Sequence, residues 1–179
     1  GHAWRVGRMA MLLAEMKGLP ADQVDMIKKT APLHDIGKVG LRDSVILKDG
    51  PYVTADWEAM KQHTKIGSRL LSESRAPLLM MAREIALTHH ERWDGAGYHG
   101  IKDVQIPLAA RIVALADAFD IMTHPCSYKA TMTLSEAKGE IAAQAGKQFD
   151  PELSALFMQL IDREGGKLLA ATGPLQMVA

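Results

Sequence analysis

The chain has 179 residues, 47% hydrophobic and 23% charged, which suits one globular domain with a proper core and a short tail. Twenty-one basic residues balance 21 acidic ones, so net charge gives no attraction to a nucleic acid polymer or an anionic membrane, and an anionic substrate would need a local feature to hold it. The single cysteine, Cys126, excludes an internal disulfide and fits a reducing, cytoplasmic setting; no apolar run approaches the roughly 20 residues of a membrane span, and the N-terminus lacks a signal-peptide pattern.

Val6, Met9, Ala10 and Leu13 recur at helical spacing and predict a helix over residues 3–17, stopped by Gly18 and Pro20. No initiator Met precedes it, so the chain reads as part of something longer. A second helix is predicted over 21–35, with Val24, Ile27, Ala31 and His34 on one face. His34 therefore belongs to a buried stripe, and a buried imidazole needs a hydrogen bond or a metal. Gly37 is read as the point where the chain turns away, and 37–53 as an irregular loop. Thr54 is the expected N-cap of a helix to about Ser72 that carries His63 and bends near Gly67. Pro77 opens the next helix, whose apolar face ends in His89, followed by His90. A glycine-rich loop, 94–98, leads to an apolar helix from Pro107 to about Met122, with Asp117 and Asp120 on a second row. Residues 123–131 read as a loop. Thr133 or Ser135 caps a helix to about Ala145, and 150–162 form the last clear helix, broken by Gly165-Gly166. A short helix around 168–171 is the weakest element. No segment alternates with period two, so the expectation is all-α: a single-domain bundle of about seven helices over 1–162, with a tail over 163–179.

The metal-type residues are His2, His34, Asp35, His63, His89, His90 and Asp117, most of them at helix ends. In a helical bundle such side chains can converge on one interior point. Five imidazoles and two carboxylates exceed the needs of one ion and suit two, bridged by Asp35. Two ions roughly 3.5–4 Å apart clamp the attacking and leaving oxygens of phosphoryl transfer. The mixed nitrogen and oxygen donors favour iron or manganese over structural zinc. Lys38 adds a positive charge beside the pair. Each residue has a structural alternative. His63 sits among polar neighbours, His89-His90 can be a helix C-cap, and Asp117 and Asp120 can pair with Arg111 or Lys129. His99 and His124 read as solvated loop residues.

His34-Asp35 with Gly37-Lys38, the run 61–67 around His63, His89-His90-Glu91-Arg92-Trp93-Asp94-Gly95-Ala96-Gly97-Tyr98, the run 106–112 and Asp117-Ala118-Phe119-Asp120 together resemble the HD-GYP domain, a branch of the HD-domain metal-dependent phosphohydrolases. The resemblance covers His2 to about Phe157. It implies a phosphodiesterase that opens cyclic di-GMP to pGpG, in some members onward to GMP, behind an upstream sensor or receiver domain. It implies His2, His34, Asp35, His63, His89, His90 and Asp117 as metal ligands for two or three ions, with the third depending on sequence ahead of this chain. Lys38 would lie beside the attacked phosphate and Lys129 would hold the other.

Two departures stand out. The third residue of the Gly-Tyr-Pro motif is His99 in this chain, which bears on any docking of a diguanylate cyclase domain through that loop. The arginine of the family's Arg-Pro-Tyr-Lys run is Cys126, although Lys129 remains. Losing a two-pronged phosphate clamp weakens substrate binding. These departures keep two alternatives open: a module that binds the dinucleotide or a partner domain without turnover, and a phosphohydrolase for another nucleotide.

Overall fold

A computed structural model describes residues 1–125 and 131–169, and within them the chain is helical, with no strand. Seven helices have ten or more residues: α1 (His2–Met16), α2 (Ala21–Thr30), α4 (Thr54–Leu70), α5 (Pro77–Thr88), α6 (Leu108–Thr123), α7 (Leu134–Gln144) and α8 (Pro151–Glu164). Two single turns, α3 (Asp43–Ile46) and α9 (Gly166–Leu169), complete the set. The all-α expectation therefore stands. Cys126 and Lys129 lie outside the described residues.

The centre is α6. It is buried on nearly every side, which explains its apolar sequence, and Phe119 meets Phe157 of α8 edge-on at 5.2 Å. Helix α1 crosses α6 and packs on α2 through Val6, Met9, Ala10 and Leu13, none more than 1% exposed. Leu168 of α9 is buried in the same core. Because α6 lies inside, its Asp117 and Asp120 are carried into the interior, where a carboxylate needs partners.

Several ends differ from the sequence reading. Helix α2 stops at Thr30, short of 35, and Ala31–Leu33 follow as a 3₁₀ turn. Pro32 has no N–H to continue the α-helical ladder. The 37–53 stretch is more ordered than a loop, holding a second 3₁₀ turn (Ile36–Gly40) and α3. At α4 the cap residue is Val53, with Thr54 already helical; Asp56 accepts the Val53 N–H, and the helix runs through Gly67 unbroken. Thr133 caps α7 by a reciprocal pair with Glu136, and Asp150 caps α8 by accepting from Glu152 N–H and Leu153 N–H.

Candidate metal centre

Gly37 does something other than turn the chain. A Cβ there would lie 1.9 Å from the His63 carbonyl oxygen and 2.4 Å from the Gly67 nitrogen. Only glycine lets the Ile36–Gly40 turn lie directly on α4, and that contact brings His34-Asp35 up to His63.

Asp35 is the meeting point. His63 Nε2 lies 3.3 Å and His89 Nε2 3.7 Å from its Oδ1, and His34 Nε2 lies 3.4 Å from its Oδ2. Lys38 Nζ donates to Oδ2 at 2.6 Å. The His90 ring lies 4.1 Å from that of His89 and 5.1 Å from that of His63. On the other side, His2 Nε2 is 3.2 Å and His34 Nε2 3.6 Å from Asp117 Oδ1. Two groups of donor atoms result, each close enough for one ion: Asp35, His63, His89 and His90, and His2, His34 and Asp35. Asp35 is common to both. All seven residues named from the sequence are thus gathered in one place.

Three rings are held in the same way. His34 Nδ1 faces the Ala31 carbonyl at 2.8 Å, His63 Nδ1 that of Met60 at 2.6 Å, and His89 Nδ1 that of Ile85 at 3.0 Å. Each Nδ1–H donates to its own chain one turn back, so each Nε2 keeps its lone pair aimed inward, the tautomer a metal ligand needs. His34 Nε2, Asp35 Oδ1 and Asp117 Oδ1 are buried with no hydrogen-bond partner. Buried polar atoms are rarely left so. Inward lone pairs and unpartnered carboxylate oxygens together fit divalent cations.

The electrostatics follow from this packing. Burial pushes the Asp35 carboxyl up, but the adjacent His34 and His89 imidazoles and the Lys38 charge hold it far below the usual carboxylate range. Asp117 is likewise held low against its burial, by His2 and then the charges of His34 and His89. His2 is pushed up to about 9 by Asp117 and Asp120. His90 is pushed down to about 3 by burial, then by His89 and His63. Burial also lowers His63.

Other residues build the rim. Tyr98 lies over His90, ring centres 4.7 Å apart, and Lys61 Nζ sits 5.7 Å from the Tyr98 ring centre. The Tyr98 loop is pinned by Glu91, 4% exposed, whose carboxylate accepts His99 N–H at 2.7 Å and Ile101 N–H at 2.8 Å. Glu91 was visible in the sequence only as a letter of the signature. The cation weighed from the sequence that lies among the described residues, Arg111, pairs elsewhere. Arg111 holds Asp150 at 2.6 Å, while Asp120 takes both prongs of Arg5, at 2.6 and 2.9 Å. Neither loop histidine is simply solvated: His99 Nε2 meets Thr64 Oγ1 at 3.1 Å, and His124 lies 3.2 Å from Asp120 Oδ1 and from the Leu169 carbonyl.

The sequence matches the HD domain family over residues 1–153. A cyclic di-GMP phosphodiesterase of Thermotoga maritima is 47% identical over 160 residues, which make up 89% of this chain and 44% of that protein. The 3′3′-cGAMP-specific phosphodiesterase 2 of Vibrio cholerae is 40% identical over 159 residues, 88% of this chain and 30% of that protein. The chain thus spans less than half the length of these relatives. In fold it is similar to a cyclic GMP-AMP specific phosphodiesterase of Vibrio cholerae, with a TM-score of 0.73 at 24% identity, covering 95% of this chain and 46% of that one. With the family matched across all but the C-terminal stretch and the signature from His89 to Tyr98 intact, the chain belongs to the HD domain family, in its HD-GYP type.

Proposed function

We propose that this chain is a metal-dependent phosphodiesterase that opens cyclic di-GMP to pGpG, with GMP as a further product. The observation that carries the reading is Asp35, shared by two groups of donors that face one another across it. Held by His63, His89 and His90 on one side and by His2, His34 and Asp117 on the other, two divalent ions, iron or manganese, would polarise the phosphate and raise the nucleophilicity of water at neutral pH. Asp35 would contribute to both positions. Lys38, on the open side of Asp35, meets a phosphate oxygen and offsets its growing charge. Lys129 grips the second phosphate of the dinucleotide. The unit over residues 1–162 carries this activity, with α9 packed on it. It works in the cytoplasm, under an upstream sensor or receiver domain, with a diguanylate cyclase domain as a candidate partner. Among the described residues no helix is long and apolar enough to cross a membrane.

A second reading has its own support. A relative named for 3′3′-cGAMP is 40% identical, not far behind the 47% of the one named for cyclic di-GMP. One experiment separates them. Protein purified without oxygen and loaded with ferrous iron or manganese is given both cyclic dinucleotides, and products are resolved by chromatography. Linear pGpG or GMP from cyclic di-GMP at the higher kcat/KM supports the first reading. Preference for the mixed dinucleotide supports the second, and no turnover of either defeats both.

A further inference from the structure

Three of the clustered rings turn their outer nitrogen to a carbonyl of their own chain, but His2 does not. Its Nδ1 donates to Asp120 Oδ2 at 2.7 Å, a residue 118 positions away on α6. Asp120 is 1% exposed, and its carboxylate is itself fixed by Arg5, Nε on Oδ1 and NH2 on Oδ2, with His124 Nδ1 3.2 Å from Oδ1. His2 is far more open than three of the other rings, with 38% of its side chain exposed against 2%, 1% and 0% for His34, His63 and His89. On its outer nitrogen the restraint is the Asp120 carboxylate, which sets the tautomer and aims Nε2 at Asp117, 3.2 Å away, and at the His34 side of the cluster.

We infer that Asp120, clamped by Arg5, is a positioning residue that builds one of the two ion positions, the one made with His2 and His34, and leaves the other to assemble without it. This rests on the two-ion reading above. The asymmetry is physical: His63 and His89 have their outer nitrogens held by main-chain carbonyls that no side-chain substitution removes, whereas the outer nitrogen of His2 is held by a side chain, Asp120.

The test is ion binding by the full chain, read apart from activity. Manganese is titrated calorimetrically into metal-free wild type, Asp120→Asn, His2→Ala and the double variant, and the exchange-coupled spectrum of two adjacent manganese ions is followed by electron paramagnetic resonance. In Asp120→Asn one equivalent is expected to bind as in wild type and the second about 10–100-fold more weakly, with loss of the coupled signal. His2→Ala should show the same pattern, and the double variant should be no worse than His2→Ala, because both act through one ring. Should Asp120→Asn fail to fold, Arg5→Gln, which frees the carboxylate to swing, is expected to weaken the same equivalent. Two ions held unchanged in the Asp120 or Arg5 variants, or losses that add in full in the double variant, would overturn the inference and leave the two-ion reading intact. Fewer than two ions in wild type overturns both.

Discussion

Gly37 and His63 touch through their backbones: where any other residue would carry a Cβ, the His63 carbonyl oxygen stands 1.9 Å away. Since a main-chain carbonyl cannot swing aside as a side chain can, Gly37→Ala must push the Ile36–Gly40 turn off α4. The expected cost is about 3 kcal/mol or more, at or above the upper end of ordinary overpacking, and Asp35 would withdraw from His63. Urea unfolding together with manganese uptake checks both effects. Gly139 provides the contrast. It is exposed in the interior of α7 with nothing near its would-be Cβ, so Gly139→Ala should stabilise by ~0.5–1 kcal/mol through chain entropy and leave ion binding alone.

Sharing of Asp35 between the two donor groups makes its loss different in kind from the loss of a ring. Asp35→Asn should abolish both tight ion equivalents, since each position loses an anionic oxygen. His90→Ala removes a donor from one group only and should spare the equivalent built on His2 and His34. Metal analysis after dialysis against a weak chelator gives the counts. Equal losses in the two variants would mean that the groups do not act as separate positions.

The metal-free cluster also predicts a stability optimum. His2, raised to about 9, keeps a proton that the unfolded chain, with an ordinary value near 6.5, has already released. Its contribution is complete below about pH 6.5 and is lost as pH rises to about 9. His34 is also raised: burial, the largest single influence, lowers it, but the Asp35 and Asp117 carboxylates and the Ala31 carbonyl together outweigh burial, and it acts in the same sense. His90, lowered to about 3, refuses a proton that the unfolded chain takes up, so stability falls as pH drops from about 6.5 toward 3. Asp35 and Asp117, held low, contribute above the usual carboxylate range and lose that contribution at the same acid end. Metal-free protein in chelator should therefore be most stable near neutrality and decline on both sides in urea titrations. His2→Ala should flatten the alkaline decline. Saturating manganese should reverse it, because neutral imidazole binds the ion.

What the sequence made legible follows the range of the forces involved. Helices long enough to show an apolar stripe were readable to within a few residues, from Val6–Leu13 in α1 to Leu153–Leu160 in α8. Turns of four or five residues, Ile36–Gly40 and α3, are too short for periodicity and passed as loop. The site showed itself through residue type: a histidine closing an apolar stripe has few uses, and His34 and His89 did meet inside the bundle. Partnerships across the chain left no local trace. Arg5 and Asp120 are 115 residues apart, and Arg111 finds Asp150 39 residues on, so the Arg5 clamp on Asp120 left no mark in the local sequence. Gly37 shows the same limit: its letter fits a turn as well as a close contact, and only the packing of α4 decides.

His99 stands where the family pattern has proline, and the structure gives its main-chain nitrogen an occupation: the N–H donates to Glu91 Oε1 at 2.7 Å. Proline has no such donor. His99→Pro should therefore destabilise rather than repair the motif, leaving an oxygen of a nearly buried carboxylate without its partner at a cost of about 1–3 kcal/mol. His99→Ala keeps the N–H and gives up only the contact with Thr64 Oγ1, so it should cost less, ~0.5–1.5 kcal/mol. Hydrogen exchange at Ile101, whose N–H is held by the other Glu91 oxygen at 2.8 Å, reports on the same loop and should quicken in the proline variant but not in the alanine one. Because Tyr98, next to His99, is the residue stacked on His90, the proline variant is also expected to lose activity at unchanged ion content. A proline variant as stable as the alanine one, with Ile101 still protected, would show that Glu91 holds the loop without that bond.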